Sequence, residues 1–324
     1  VKIVVADPNL LPHRDRFEAM APADSDVRWV PDGVTGPDLR DADVYVGSRF
    51  TADMAGAAER LRLIHVAGAG TDKIEFAALD AGILVANTFH HERSIAEYVA
   101  AAAVMLRRRF LVQDRALREG IWSTSVYDRA IAQAPTLSEA RIGFVGFGHI
   151  GGYSWNLLRA FGCTAAAVTG SGSGGEDAGL TWVGNTSQLD RLMSESDVVV
   201  VSAPLNSATT GMIGAAQLAA LGHDGVLINV GRGPLVQERA LYDALADGVI
   251  AAAAIDVWYR YPGGESRCAP SDLPFGQLPN VLMTPHSSGV TSDTFAGRVG
   301  DVTANIVRLH QGIPLRNVVA GGAS

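Results

Sequence analysis

The sequence predicts an α/β protein of two domains, one of them a doubly wound parallel sheet, and three observations carry this. Short β-branched or aliphatic runs alternate with helical stretches in two successive series. A glycine-rich turn, Gly146–Gly151, follows the first apolar run of the second series directly. The length, 324 residues, is about twice the ~150 residues of an average domain.

In the first series, strands are expected at Lys2–Ala6, Val27–Val30, Val44–Gly47, Leu63–Ala67 and Ile83–Ala86, each short and aliphatic, as in βαβ units. From Ser94 to about Arg118, Ile95, Val99, Leu106, Phe110 and Leu117 recur near the helical period. Arg107, Arg108 and Arg109 read as a solvated cluster on that helix. The second series places strands at Ile142–Val145, Ala165–Val168, Val198–Ser202, Val226–Val230, Ala252–Val257 and Val281–Thr284. Helices at Ser154–Phe161, Ser187–Met193, Ala215–Leu221 and Glu238–Asp247 bridge them. A last helix, from about Thr294 to His310, stops at Gly312 and Pro314.

Composition narrows the function. Hydrophobic residues make up 48%, which argues against extensive disorder. Asp and Glu outnumber Lys and Arg by 34 to 26, giving a net charge of −8, so nucleic acid and anionic membranes are poor partners. Two cysteines cannot form a disulfide framework, which favours a reducing, cytoplasmic setting. The N-terminus lacks the basic stretch and apolar run of a signal peptide. No apolar run reaches the ~18 residues of a membrane span, and the richest, Ala96–Leu106, contains Glu97. His90 and His91 have no third ligand nearby, so no metal is expected.

Gly146-Phe147-Gly148-His149-Ile150-Gly151 fits G-x-G-x-x-G. Thirty-six glycines predict roughly 0.4 chance matches, so the context decides: a strand enters the motif and an apolar helix leaves it. Gly146 serves the tight turn, Gly148 the close approach of a pyrophosphate, and Gly151 the helix–strand packing. The helix start then offers free N–H groups to the phosphates. At the place of the acid that binds an adenosine ribose stands Thr169, followed by Gly170, Ser171, Gly172 and Ser173. No carboxylate occurs before Glu176. A 2′-phosphate meets no repulsion there, yet no arginine follows closely, so the reading admits NADP or NAD and tilts slightly to NADP.

Three further motifs follow in order: Ile228-Asn229-Val230-Gly231-Arg232-Gly233-Pro234-Leu235-Val236, Ala254-Ile255-Asp256-Val257-Trp258, and Met283-Thr284-Pro285-His286-Ser287-Ser288-Gly289. With the glycine turn they resemble the D-isomer-specific 2-hydroxyacid dehydrogenases, a family that includes glyoxylate/hydroxypyruvate reductases and phosphoglycerate, formate and phosphite dehydrogenases. Gly68-Ala69-Gly70-Thr71-Asp72 and Ile95-Ala96-Glu97 resemble the family's first-domain landmarks. The resemblance implies a Rossmann-like domain over residues 106–287. A flavodoxin-like substrate domain would cover 1–105 and 288–324, with the active site in the cleft between them, and a homodimer is expected.

It also implies roles. Arg232 would anchor and polarise a small anionic substrate, using a fixed charge and forked donors. His286 would exchange the proton, its ordinary pKa near 6.5 suiting neutrality. Ala69 and Gly70 would offer backbone N–H groups to the substrate's acid group, with His91 beside it. His149, Ile150, Ala203, Val230 and Ser288 would line the cofactor, and Asp256 would face its nicotinamide end.

The chain departs from the family at two places. Tyr261 stands where the glutamate that supports the histidine belongs, as a third candidate for the catalytic group. The inserted Gly263–Pro270 stretch supplies Glu265 as a possible substitute. Formate dehydrogenases also lack that glutamate and share the tryptophan and a Pro-His-x-Ser-Gly ending. Phe89-His90-His91-Glu92-Arg93 replaces a Pro-Gly-x-Asn run, so a histidine could meet an unusual anion such as a phosphonate. Ala69 occupies the lysine position of phosphite dehydrogenases, which counts against phosphite. The expected function is NAD(P)-dependent hydride transfer between a 2-hydroxy acid, or a hydroxyalkyl phosphonate, and its oxo form. The alternatives are a formate-type dehydrogenase and a dinucleotide-sensing, corepressor-like binding protein.

Overall fold

Four consecutive valines, Val198–Val201, have no solvent exposure at all, as expected of a strand covered on both faces of a parallel sheet. The computed structural model describes residues 1–264 and 266–321. It divides into two compact units: residues 1–90 with Thr291 onward, and residues 91–290.

Among the described residues the first strands are β1 (Lys2–Val5), β2 (Asp26–Trp29), β3 (Val44–Val46), β4 (Leu63–His65), β5 (Leu84–Ala86), β6 (Arg141–Val145) and β7 (Thr164–Thr169). There follow β8 (Val183–Asn185), β9 (Val198–Val201), β10 (Val226–Asn229), β11 (Ala252–Ile255), β12 (Val281–Met283) and β13 (Val318–Ala320). In the first unit the sheet order is β13-β5-β4-β3-β1-β2, with only β13 antiparallel to its neighbour. In the second it is β12-β11-β10-β9-β6-β7-β8, parallel throughout. Both are α/β layers, as the alternating pattern predicts.

Apolar spacing fixes which helix covers which sheet. The helix Glu92–Arg107 buries Ile95, Val99, Ala102, Ala103 and Leu106. They share a core with Ile142, Phe144, Trp155, Val200 and Ile228 of the second unit. The helix Ser292–Gln311 buries Phe295, Val299, Val302, Ile306 and Leu309 against Ile3, Val5, Val46 and Leu63 of the first unit. It starts where Thr291 Oγ1 accepts from Thr294 N and ends at Gly312 in the left-handed region.

The units meet in sequence at 90/91 and 290/291, where the sequence reading placed them at 105/106 and 287/288. The shift follows the helix Glu92–Arg107, which packs on the helix His149–Leu158 and on β10 and β11. The expected helical stretch to Arg118 is interrupted: Arg109 adopts φ 56°, and a separate helix runs from Phe110 to Arg118. Phe110 and Leu117 are consequently exposed. Two strands escaped the sequence reading, β8 and β13, both three-residue edge strands.

Candidate active site

Parallel strands all end at the same edge of their sheet, and there the second unit gathers its chemically distinctive residues. Gly146 follows β6 and Ala203 lies two residues beyond β9. Val230 and Arg232 follow β10, Asp256 and Tyr261 follow β11, and His286 and Ser288 follow β12. Thr169 ends β7. In open α/β sheets this carboxyl edge is where ligands bind.

The glycine turn has the shape a pyrophosphate needs. Gly146 has φ +88°, and a Cβ there would lie 2.6 Å from the backbone N of Ala203. A Cβ on Gly151 would come within 3.1 Å of Gly146 O, so the helix His149–Leu158 packs tightly on the turn. Gly148 instead faces open space, with nothing within 4 Å of an added Cβ. His149 and Ile150 form the first helical turn, whose N–H groups have no helical partner. These residues fit a dinucleotide. At the end of β7, Thr169 Oγ1 donates to Ser173 O and Ser173 Oγ to Ser171 Oγ, so the hydroxyls first engage one another.

Asp256 is fully buried. Its Oδ1 accepts from Thr284 Oγ1 at 2.6 Å and Ser287 N at 2.9 Å, and its Oδ2 from Ser288 N and Ser288 Oγ. One carboxylate therefore organises the whole turn between β12 and Val290. That turn holds His286 at φ 57°, a conformation costing roughly 1–2 kcal/mol for a side chain with a Cβ. The motif pointed Asp256 at a nicotinamide, and the geometry gives it this second duty. Tyr98, whose phenol burial pushes up to about 12, lies 3.1 Å from Thr284 Oγ1.

Trp258 ties the neighbouring turns together. Its indole Nε1 donates to Thr284 O at 2.8 Å and its backbone N to the Tyr261 hydroxyl at 3.0 Å. The Tyr261 ring stands 5.7 Å from that of His286, tilted by 54°. Gly233 approaches Trp258 so closely that a Cβ would come within 2.4 Å of its carbonyl oxygen. Buried Asn229 shapes the Arg232 turn, donating to Arg232 O and accepting from Gly231 N. Arg232 is half-buried, its Nη1 donating to Gly231 O. Glu265 lies outside the described residues. His91 occupies the N-cap position of the helix Glu92–Arg107 without a capping bond from its side chain, and its Cβ lies against Gly289 of the histidine turn.

In the first unit the loop from Gly68 to Thr71 has its carbonyls tied inward. Thr88 N donates to Gly68 O, Asn87 Nδ2 to Ala69 O and Ile74 N to Thr71 O. His90 pairs with Asp301, which also accepts from Thr88 Oγ1. Asn229, Trp258, Thr284 and Arg298 were not singled out from sequence. The first three lie inside or beside motifs, and Arg298 has no motif of its own.

A family model described as "D-isomer specific 2-hydroxyacid dehydrogenase, NAD binding domain" matches residues 100–288. The chain belongs to the D-isomer specific 2-hydroxyacid dehydrogenase family. It is 30% identical to the D-3-phosphoglycerate dehydrogenase of Methanocaldococcus jannaschii, over 98% of this chain and 59% of that one. It is 32% identical to the mitochondrial formate dehydrogenase of Solanum tuberosum, over 80% and 69% of the two chains. A solved NADPH-dependent glyoxylate/hydroxypyruvate reductase from Sinorhizobium meliloti shares the fold at a TM-score of 0.77 with 26% identity, covering 99% of this chain and 98% of that one. The chain spans 50–59% of the length of the archaeal phosphoglycerate dehydrogenases it matches. Among the described residues of this family member, no cluster of metal-ligating side chains occurs, and no helix is long and apolar enough to cross a membrane.

Proposed function

We propose that the protein is an NAD(P)-dependent oxidoreductase that interconverts a small 2-hydroxy acid, or an analogous hydroxyalkyl phosphonate, with its oxo form. The supporting observation is the row at the carboxyl edge of the second sheet, where the glycine turn, Arg232 and His286 follow β6, β10 and β12. A bound nicotinamide supplies or accepts the hydride at the substrate's carbinol carbon. Arg232 draws electron density toward the carbonyl oxygen through its guanidinium. In reduction His286 gives its proton to the new alkoxide, and in oxidation its neutral ring takes the hydroxyl proton. Tyr261 packs beside His286 and supports the orientation of its ring. Ala69 and Gly70 hold the acid group through backbone N–H groups, with His91 as a further substrate contact.

The absence of an acid at Thr169 supports use of NADPH as well as NADH. Preference for NADH should stay below about a hundredfold in kcat/KM, about 2.7 kcal/mol.

The test is a panel of 2-oxo acids, 2-hydroxy acids and hydroxyalkyl phosphonates with both cofactors, followed by the absorbance of the reduced nicotinamide. No turnover of any member, nor of formate, would sink the enzyme reading and favour a dinucleotide-sensing role. Arg232→Lys, which keeps the charge and loses the fork, should raise KM and depress kcat, and near-wild-type kinetics would remove Arg232 from the site. Tyr261 in the glutamate's place favours one second reading, a formate-type dehydrogenase, for which formate alone would support NAD(P) reduction.

A further inference from the structure

The loop Gly68–Thr71 presents a row of backbone amides. Its amides at Gly68, Ala69, Gly70 and Thr71 donate to no protein acceptor among the described residues, while three of its carbonyls are held inward. All four residues are half-exposed, so a ligand can reach them. Such a row of amides is a seat for an anion.

A fixed cation stands at the same loop. Arg298, nearly two turns into the helix Ser292–Gln311, is half-buried. Its Nε donates to Phe89 O at 3.0 Å, and its Cζ lies 5.1 Å from the centre of the Phe295 ring. Its Nη1 would lie 3.9 Å from a Cβ on Gly68. Of the two histidines that the sequence offers for an unusual anion, His90 is paired with Asp301.

We propose that Arg298 is a specificity-determining residue that completes, with the amides of the 68–71 loop, a site for a substrate head group carrying two negative charges. The inference rests on the oxidoreductase reading above and names its substrate class. A carboxylate offers two oxygens and one charge. A phosphonate offers three oxygens and, near neutrality, up to two charges, enough to use the amides and a forked guanidinium together. Arg298 thus selects hydroxyalkyl phosphonates over the matching 2-hydroxy acids.

Glycolate and hydroxymethylphosphonate differ only in the head group, and acetate and methylphosphonate form the matching pair without a hydroxyl. Calorimetric titration of all four into the NADH-loaded protein reads the head-group preference directly, and turnover of the first pair reads it kinetically. The wild type should bind each phosphonate at least tenfold tighter than its carboxylate partner. Arg298→Gln should erase that ratio by weakening phosphonate binding more than carboxylate binding, and Arg298→Lys should restore part of it. A wild type without the preference overturns the proposal, as does an Arg298→Gln protein that keeps it or weakens both classes equally. Methylphosphonate selectivity without turnover of any hydroxy compound would leave the anion site standing and remove the enzyme reading. Should Arg298→Gln fail to fold, the ratio in Arg298→Lys decides.

Discussion

His286 holds a left-handed backbone because Asp256 accepts from donors on both sides of it, at Thr284, Ser287 and Ser288. Hydrogen bonds to a charged acceptor contribute about 1.5–3 kcal/mol each, which together outweigh the roughly 1–2 kcal/mol cost of that conformation. Asp256→Asn keeps the shape but turns one acceptor into a donor facing Ser288. It should lower kcat/KM at least a hundredfold while the Kd for NADH moves less than threefold, since the histidine turn loosens and the glycine turn does not. A matching rise in the NADH Kd with kcat preserved would assign Asp256 to the cofactor alone. The two glycines of the fingerprint should separate just as cleanly. Gly146→Ala meets the Ala203 backbone at a positive φ and should lower Tm by several degrees. Gly148→Val meets open space, so Tm should stay within about 2 °C while NADH binding weakens at least tenfold. Equal Tm losses in the two variants would show that Gly148 is a packing position.

At the level of elements, β4 is clasped to the helix Ser292–Gln311 by a buried histidine. His65 has no exposure, and its Nε2 lies 3.0 Å from Asn305 Nδ2. Asn305 also bonds both the N and the O of Arg316, which feeds β13. Burial holds the imidazole down at about 4, against the opposing pull of the Val66 carbonyl and Asp301. The unfolded chain therefore binds this proton more readily than the folded one. The stability His65 contributes is complete above pH ~6.5 and is lost as pH falls from there toward 4, at up to about 1.4 kcal/mol per unit. Urea midpoints between pH 7 and 4 should fall more steeply for the wild type than for His65→Gln, and parallel curves would show that this ring does not titrate on unfolding. Elements of this kind set the reach of sequence reading. Strands such as Val198–Val201 and the turns after β6, β10 and β12 were legible because apolar runs and motif residues occupy consecutive positions. The break at Arg109 was not, since it lacks the glycine or proline that normally marks one. Trp258 and Arg298 were missed for a related reason: each acts through partners distant in sequence, Thr284 for one and Phe89 and Gly68 for the other.

For the whole molecule, the break after Arg108 leaves an apolar surface that neither sheet uses. Phe110, Leu117, Ile121, Trp122, Val126 and Tyr127 are all exposed, Trp122 by 60% and Val126 by 79%. Within that stretch Trp122 and Tyr127 pack edge to face with ring centres 5.3 Å apart, so the segment is ordered while its apolar side chains face solvent. Exposed large apolar side chains clustered in one segment mark a candidate association surface. A stable pair of protein surfaces buries about 1,600 Å² in total. If a second copy of the chain covers these residues, the contact is isologous between the two 110–127 segments. Sedimentation equilibrium should then give about twice the 34.0 kDa chain mass, and Tm should rise with protein concentration. The double variant Trp122→Asp/Val126→Asp alters only exposed positions, so it should sediment as a monomer with an unchanged far-ultraviolet spectrum and a Tm independent of concentration. A wild type that sediments as a monomer at micromolar concentration would sink the dimer, and a double variant that still dimerises would move the interface away from this segment.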